Sequence, residues 1–155
     1  MAKRSAGLLL FRRRGEAIEV FLVHPGGPLW AKKDLGAWSI PKGEYAEGED
    51  PLAAARREFQ EETGFAAPAH AAALGELKQA GGKTVSTWAA EGDCDPGKLA
   101  SNRCEIEWPP RSGRKIEIPE VDRAAWFAID EARERILNSQ KPFLGRLESE
   151  LASRS

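Results

Sequence analysis

Between Gly43 and Phe65 the chain reads G-E-Y-A-E-G-E-D-P-L-A-A-A-R-R-E-F-Q-E-E-T-G-F. Few segments leave so little choice of local structure. Asp50 can cap a helix, Pro51 fits its first position because the missing N–H is an orphan there anyway, and Gly64 suits its C-terminal end. Leu52, Ala55 and Phe59 recur at helical spacing and are predicted to face a core. Glu58, Glu61 and Glu62 share an adjoining arc, since residues three and four apart are neighbours on a helix. Crowding carboxylates brings no stability, because each raises the energy of ionising the next. A hard divalent cation among them explains the pattern; a solvated acidic face paired with Arg56 and Arg57 is the competing explanation.

Around this helix the sequence alternates strand and turn signals. Ser5–Phe11 and Ile18–Val23 are β-prone runs on either side of a charged turn at Gly15–Glu16, and are expected to form a hairpin or neighbouring strands. His24–Gly36 is a Gly/Pro-rich loop carrying Trp30, Lys32 and Lys33. Trp38–Ile40 reads as a short strand stopped by Pro41. Further strands are expected at Ala71–Gln79, Lys83–Ala89 and Cys104–Trp108, with a loop at Glu91–Arg103 and a turn at Pro109–Lys115. Asp130–Leu137 and Pro142–Leu151 read as helices, the second placing Phe143, Leu144, Leu147 and Leu151 on one face. Strands interspersed with few helices predict an α/β layer fold, with residues 1–155 as one domain.

Composition narrows the function. Basic and acidic side chains number 23 and 24, a net charge of −1, so neither a broad nucleic-acid face nor a membrane-binding face is expected. No stretch approaches membrane-spanning length. Lys3 and Arg4 precede the apolar run Ala6–Phe11, but that run is short and meets Arg12, Arg13 and Arg14 at once, so it reads as a buried strand rather than an export signal. Cys94 and Cys104 match no metal or redox spacing and read as reduced thiols. The expected location is cytoplasmic. No Ser/His/Asp or Cys/His arrangement is visible, and His24 reads as a turn or pocket-wall residue.

The full spacing resembles the Nudix box, G-x5-E-x7-R-E-U-x-E-E-x-G-U: Gly43, Glu49, then Arg57-Glu58-Phe59-Gln60-Glu61-Glu62-Thr63-Gly64-Phe65 fill every fixed position. The resemblance implies an α/β/α sandwich around a mixed β-sheet. It further implies Mg²⁺-dependent hydrolysis, with Mn²⁺ as a substitute, of a diphosphate linkage in a nucleoside diphosphate joined to another group X. On the matching positions Glu58, Glu61 and Glu62 would be metal ligands, joined by the carbonyl of Lys42. Arg57 would orient the glutamates and Glu49 would hold the loop to the helix. Glu120, six positions before Trp126, would be a further ligand or the general base, with Glu58 and Glu61 as other candidates for the base.

Trp38-Ser-Ile-Pro-Lys-Gly43 is similar to the W-x-x-P-K-G entry of the dinucleoside polyphosphate and diphosphoinositol polyphosphate branches. Lys42, Trp38, Lys33 and Arg4 are the substrate-contact candidates. Lys32, Arg103, Arg111 and Arg114 carry weaker phosphate-contact expectations. Trp30 and Trp108 are better placed than Trp38 or Trp126 to stack a base. The expected partner is a small nucleotide or polyphosphate substrate. Two other functions fit the same residues: a nucleoside-triphosphate sanitising pyrophosphohydrolase, and a non-catalytic nucleotide sensor on the same fold.

Overall fold

A computed structural model describes residues 3–154; Met1, Ala2 and Ser155, included in the expected 1–155 domain, lie outside the described residues. Along the chain come β1 (Arg4–Arg14), β2 (Ala17–Pro25), β3 (Lys42–Glu44), α1 (Pro51–Thr63), β4 (Ala72–Lys78), β5 (Thr84–Glu91), β6 (Arg103–Glu107), β7 (Lys115–Pro119), β8 (Val121–Ala128), α2 (Ile129–Arg135) and α3 (Pro142–Ser153). The main sheet runs β4-β5-β1-β2-β8, with β3 joined to β1, and β6 and β7 form a separate two-stranded sheet. β1 and β5 are parallel, and the other neighbours are antiparallel, so the sheet is mixed.

Alternation along the central strands builds two cores. Leu8, Leu10, Phe21 and Val23 meet Phe59 of α1 on one face. Leu9, Phe11, Val20 and Leu22 meet Phe143, Leu144 and Leu147 of α3 and Ala132 of α2 on the other. A central strand covered on both faces is apolar at successive residues, which is why Ala6–Phe11 is a continuous run. The result is the expected α/β/α sandwich.

β1 also forks. Its last residues pair with β2, from Phe11↔Val20 to Arg14↔Ala17, while its first residues pair with β3, from Ser5↔Glu44 to Gly7↔Lys42. The segment between Trp38 and Glu44 fills the gap. Leu8 N donates to Pro41 O at 3.1 Å, and Val23 and Ser39 exchange backbone hydrogen bonds at 2.9 and 2.8 Å. Trp38–Ile40 is therefore not the expected strand. It makes only single bridges, Ser39 to Val23 and Trp38 to Ile136, and the paired strand begins beyond Pro41.

β7 and β8 have no counterpart in the sequence-based expectation. β8 is held by β2, from Glu19↔Ala128 to Pro25↔Val121, and β7 by β6. In α1 the expected core stripe shifts: Ala54, Ala55 and Phe59 are buried, whereas Leu52 stays half-exposed. Both cysteines are free and half-buried. Among the described residues no helix is long and apolar enough to cross a membrane.

Candidate active site

Helix α1 starts and stops where its sequence says. Asp50 Oδ2 accepts from Ala53 N at 2.9 Å, and Gly64 takes φ 79° with its N–H donating to Gln60 O. Between these caps the helix lays Glu58 and Glu62 against the fork. They are 9% and 8% exposed, while Glu61 remains open to solvent. β3 passes directly over them. A Cβ at Gly43 would lie 2.1 Å from the Glu58 carboxyl carbon, so the close approach requires glycine.

Arg57 gathers the acids from the solvent side. Its Nη1 donates to Glu58 Oε1 at 2.9 Å and to Glu61 Oε1 at 3.3 Å, and its Nε donates to Glu49 Oε2 at 3.2 Å. Glu49 Oε1 in turn accepts from Ala46 N at 3.3 Å, tying the loop before α1 to the same guanidinium.

Glu120 lies at the joint between β7 and β8, placed there by a staple that the sequence did not advertise. Glu120 N donates to Asn102 O at 3.0 Å, Asn102 N donates to Glu61 O at 2.9 Å, and Val121 N donates to Ser101 Oγ at 3.0 Å. Ser101 and Asn102 thus fasten Glu120 to the C-terminal turn of α1. Their only sequence signal is a pair of small polar residues in a loop.

The charges in this corner are poorly compensated. Burial first, then Glu120 and Glu58, push the Glu62 carboxyl up to about 8, against the lowering effect of Lys42. Burial and then Glu61 push Glu58 up, with Glu120 adding to the rise and Arg57 opposing it. Among the described residues no three acidic, histidine or cysteine side chains enclose a point as a cation's ligand cage would. Arg57 holds Glu58 and Glu61 toward itself instead. The donor set still fits a hard dication: carboxylate oxygens, two of the groups nearly buried, each raising the ionisation energy of the next.

The substrate-contact candidates are dispersed. Lys42, half-buried, begins β3 beside the acids. Arg4, at the start of β1, lines a cavity of about 570 Å³ with Tyr45, Glu47 and Glu49. Lys33 lies in the exposed part of the loop after β2, its ammonium 4.9 Å from the Trp30 ring centre. Trp38 is 5% exposed; its indole donates to Asp34 Oδ1 at 2.7 Å and its ring packs edge-on against Phe127, leaving almost no face for a ligand. Trp108 is half-buried near the β6–β7 turn. His24, expected at a turn or pocket wall, is fully buried. A cavity of about 710 Å³ beside Arg12, Cys94 and Trp126 is bordered by none of the four glutamates, so the chemistry places the candidate site elsewhere.

Known proteins point the same way as this geometry. The chain is 41% identical over 71 residues to the pig (Sus scrofa) asymmetrical bis(5'-nucleosyl)-tetraphosphatase, covering 42% of this chain and 44% of that protein. It is 29% identical over 153 residues to an 8-oxo-(d)GTP phosphatase of Mycolicibacterium smegmatis, covering 86% of this chain and 37% of that protein. It thus spans less than half the length of these curated relatives. Among solved structures, a Caenorhabditis elegans Ap4A hydrolase binary complex superposes with a TM-score of 0.67 at 22% identity, covering 96% and 98% of the two chains. The Nudix domain of Shewanella oneidensis NrtR, complexed with ADP ribose, gives 0.68 at 16% identity, covering 97% and 89%. These two likenesses speak for the fold. The family model for the NUDIX domain matches residues 1–147, nearly the whole sequence, and the chain belongs to that family.

Proposed function

We propose that the chain is a cytoplasmic, divalent-cation-dependent pyrophosphohydrolase that cleaves a diphosphate linkage in a nucleoside diphosphate joined to X, with dinucleoside polyphosphates as the first candidates. The observation that carries this reading is the pair of nearly buried carboxylates, Glu58 and Glu62, facing Glu120 beneath the backbone of Gly43. Partial identity to the pig tetraphosphatase supports the choice of substrate.

The side chains divide the work. Glu58, Glu61, Glu62 and the Lys42 carbonyl are the groups that would hold Mg²⁺ or Mn²⁺, which when bound supplies Lewis acidity toward phosphate oxygens and water. Arg57 keeps Glu58 and Glu61 oriented through charge-assisted hydrogen bonds, and Glu49 keeps Arg57 in place. Glu120 is our choice of general base, because Glu58 and Glu61 are already engaged by Arg57. The proton it removes comes from the attacking water, and the leaving group is a phosphate or nucleotide. The Lys42 and Arg4 side chains, with Lys33, offer cations to the rest of the polyphosphate. Trp38 acts through packing rather than contact.

The test is turnover of diadenosine tetraphosphate with Mg²⁺. Glu58→Gln and Glu62→Gln should each lower kcat by about 100-fold or more while circular dichroism stays unchanged. Near wild-type rates in either variant would refute the assignment. A second reading is favoured by the mycobacterial 8-oxo-(d)GTP phosphatase relative: pyrophosphohydrolysis of modified nucleoside triphosphates by the same acids. Product masses from 8-oxo-dGTP and diadenosine tetraphosphate, compared at equal concentration, separate the two.

A further inference from the structure

His24 lies where the pairing of β2 with β8 slips, between His24 and Pro25. Its imidazole is fully buried, with Nδ1 2.8 Å from Asp122 Oδ1 and Nε2 2.6 Å from the Lys33 carbonyl oxygen. A carbonyl oxygen only accepts, so Nε2 donates to Lys33, while Nδ1 shares a hydrogen bond with the Asp122 carboxyl group. Trp38 meets the ring edge-on at 5.2 Å, and Arg123 lies over Trp38 while approaching Asp122. A fully buried polar ring is tolerated only when its nitrogens are satisfied, and here both are.

What the two bonds join is informative. Asp122 stands on β8, two residues after Glu120, while Lys33 belongs to the loop that follows β2. The near end of that loop is fixed to the acidic corner, because Gly26 N donates to Glu120 O at 2.9 Å. Its far end is tied down through Asp34, which accepts from the Trp38 indole and from Arg135. Between these anchors Lys33 is held by its own N–H, which donates to Trp30 O at 2.9 Å, and by His24, which bonds its carbonyl from β2.

We propose that His24 is a positioning residue: the hydrogen bonds of its two ring nitrogens latch the loop after β2 to β8, so that the Lys33 ammonium, carried on Trp30, meets the polyphosphate beyond the scissile linkage. The inference rests on the hydrolase reading above and adds to it a specific route by which a buried side chain governs substrate affinity.

The experiment is a double-mutant cycle on diadenosine tetraphosphate hydrolysis by wild type, H24Q, K33A and H24Q/K33A. H24Q and K33A should each raise KM by about tenfold with little change in kcat, and the double variant should be no worse than K33A alone. A merely structural role would add its effect to that of K33A. Separately, NMR of the ring nitrogens in the wild-type protein should show His24 Nε2 protonated and hydrogen-bonded; the exposed His70 is the only other histidine, which makes assignment direct. An unprotonated Nε2, an unchanged KM in H24Q, or additive effects would overturn the latch while leaving the hydrolase reading intact. A wild-type chain that turns over no diphosphate compound would overturn both.

Discussion

Two glycines show how one missing methyl group can serve either the acidic corner or the fold. A Cβ at Gly43 would strike the Glu58 carboxylate, the mobile end of a side chain, whereas a Cβ at Gly26 would come within 2.0 Å of the Pro119 carbonyl oxygen, which is backbone. Gly43→Ala should therefore displace a carboxylate without unfolding the chain. The expected loss of turnover is about 100-fold, since ångström-scale misplacement of a catalytic group costs that much. Gly26→Ala should instead lower stability by about 1–3 kcal/mol, the usual cost of overpacking. Thermal denaturation and kcat measured on both variants would check the contrast. At this scale the sequence was most legible where spacing does the work: Glu58 and Glu62 are placed by helical geometry alone. It was silent where placement depends on remote backbone, as with Ser101 and Asn102, whose bonds reach Glu61, Glu120 and Val121 across the chain.

Among elements, α1 could be read in advance because its determinants are local: Asp50 caps it, Pro51 starts it and Gly64 ends it in the left-handed conformation. Asp50→Ala should cost about 1 kcal/mol, and Asp50→Asn much less, in chemical denaturation, because an amide oxygen can still accept from Ala53 N. Equal losses in the two variants would show that the charge, not the cap, matters. β8 could not be read in the same way. Val-Asp-Arg-Ala-Ala-Trp-Phe-Ala mixes charge and alanine, and becomes a strand only because β2 offers it a partner. β3 is shorter still, three residues including a glycine, and exists because β1 and β2 diverge. The apolar run in β1 and the amphipathic face of α3 were legible because burial there follows directly from hydropathy.

For the whole molecule, the acidic corner couples stability to pH and to cations. The Glu62 carboxyl stands near 8 in the folded protein and near its ordinary value when unfolded. Between those values the folded state holds a proton that the unfolded chain has lost, so stability falls as pH rises through the window and has finished falling above about 8. Glu58, also raised, acts in the same direction. In chelator, Tm should drop between pH 5.5 and 8.5 by an amount that Glu62→Gln largely removes, and millimolar Mg²⁺ should restore more at the upper pH than at the lower; a Tm that changes equally in wild type and variant would refute the coupling. Spacing matters as much as charge. Beside the Phe59 contacts, α1 meets β1 through Ala6, Ala54 and Ala55, each fully buried. At that point α1 is seated on a shim one methyl group thick. Larger side chains at those alanines would lever α1 away from the fork and draw Glu58 and Glu62 out from under Gly43, so three alanines with no polar side-chain atom help fix the geometry of the acidic corner.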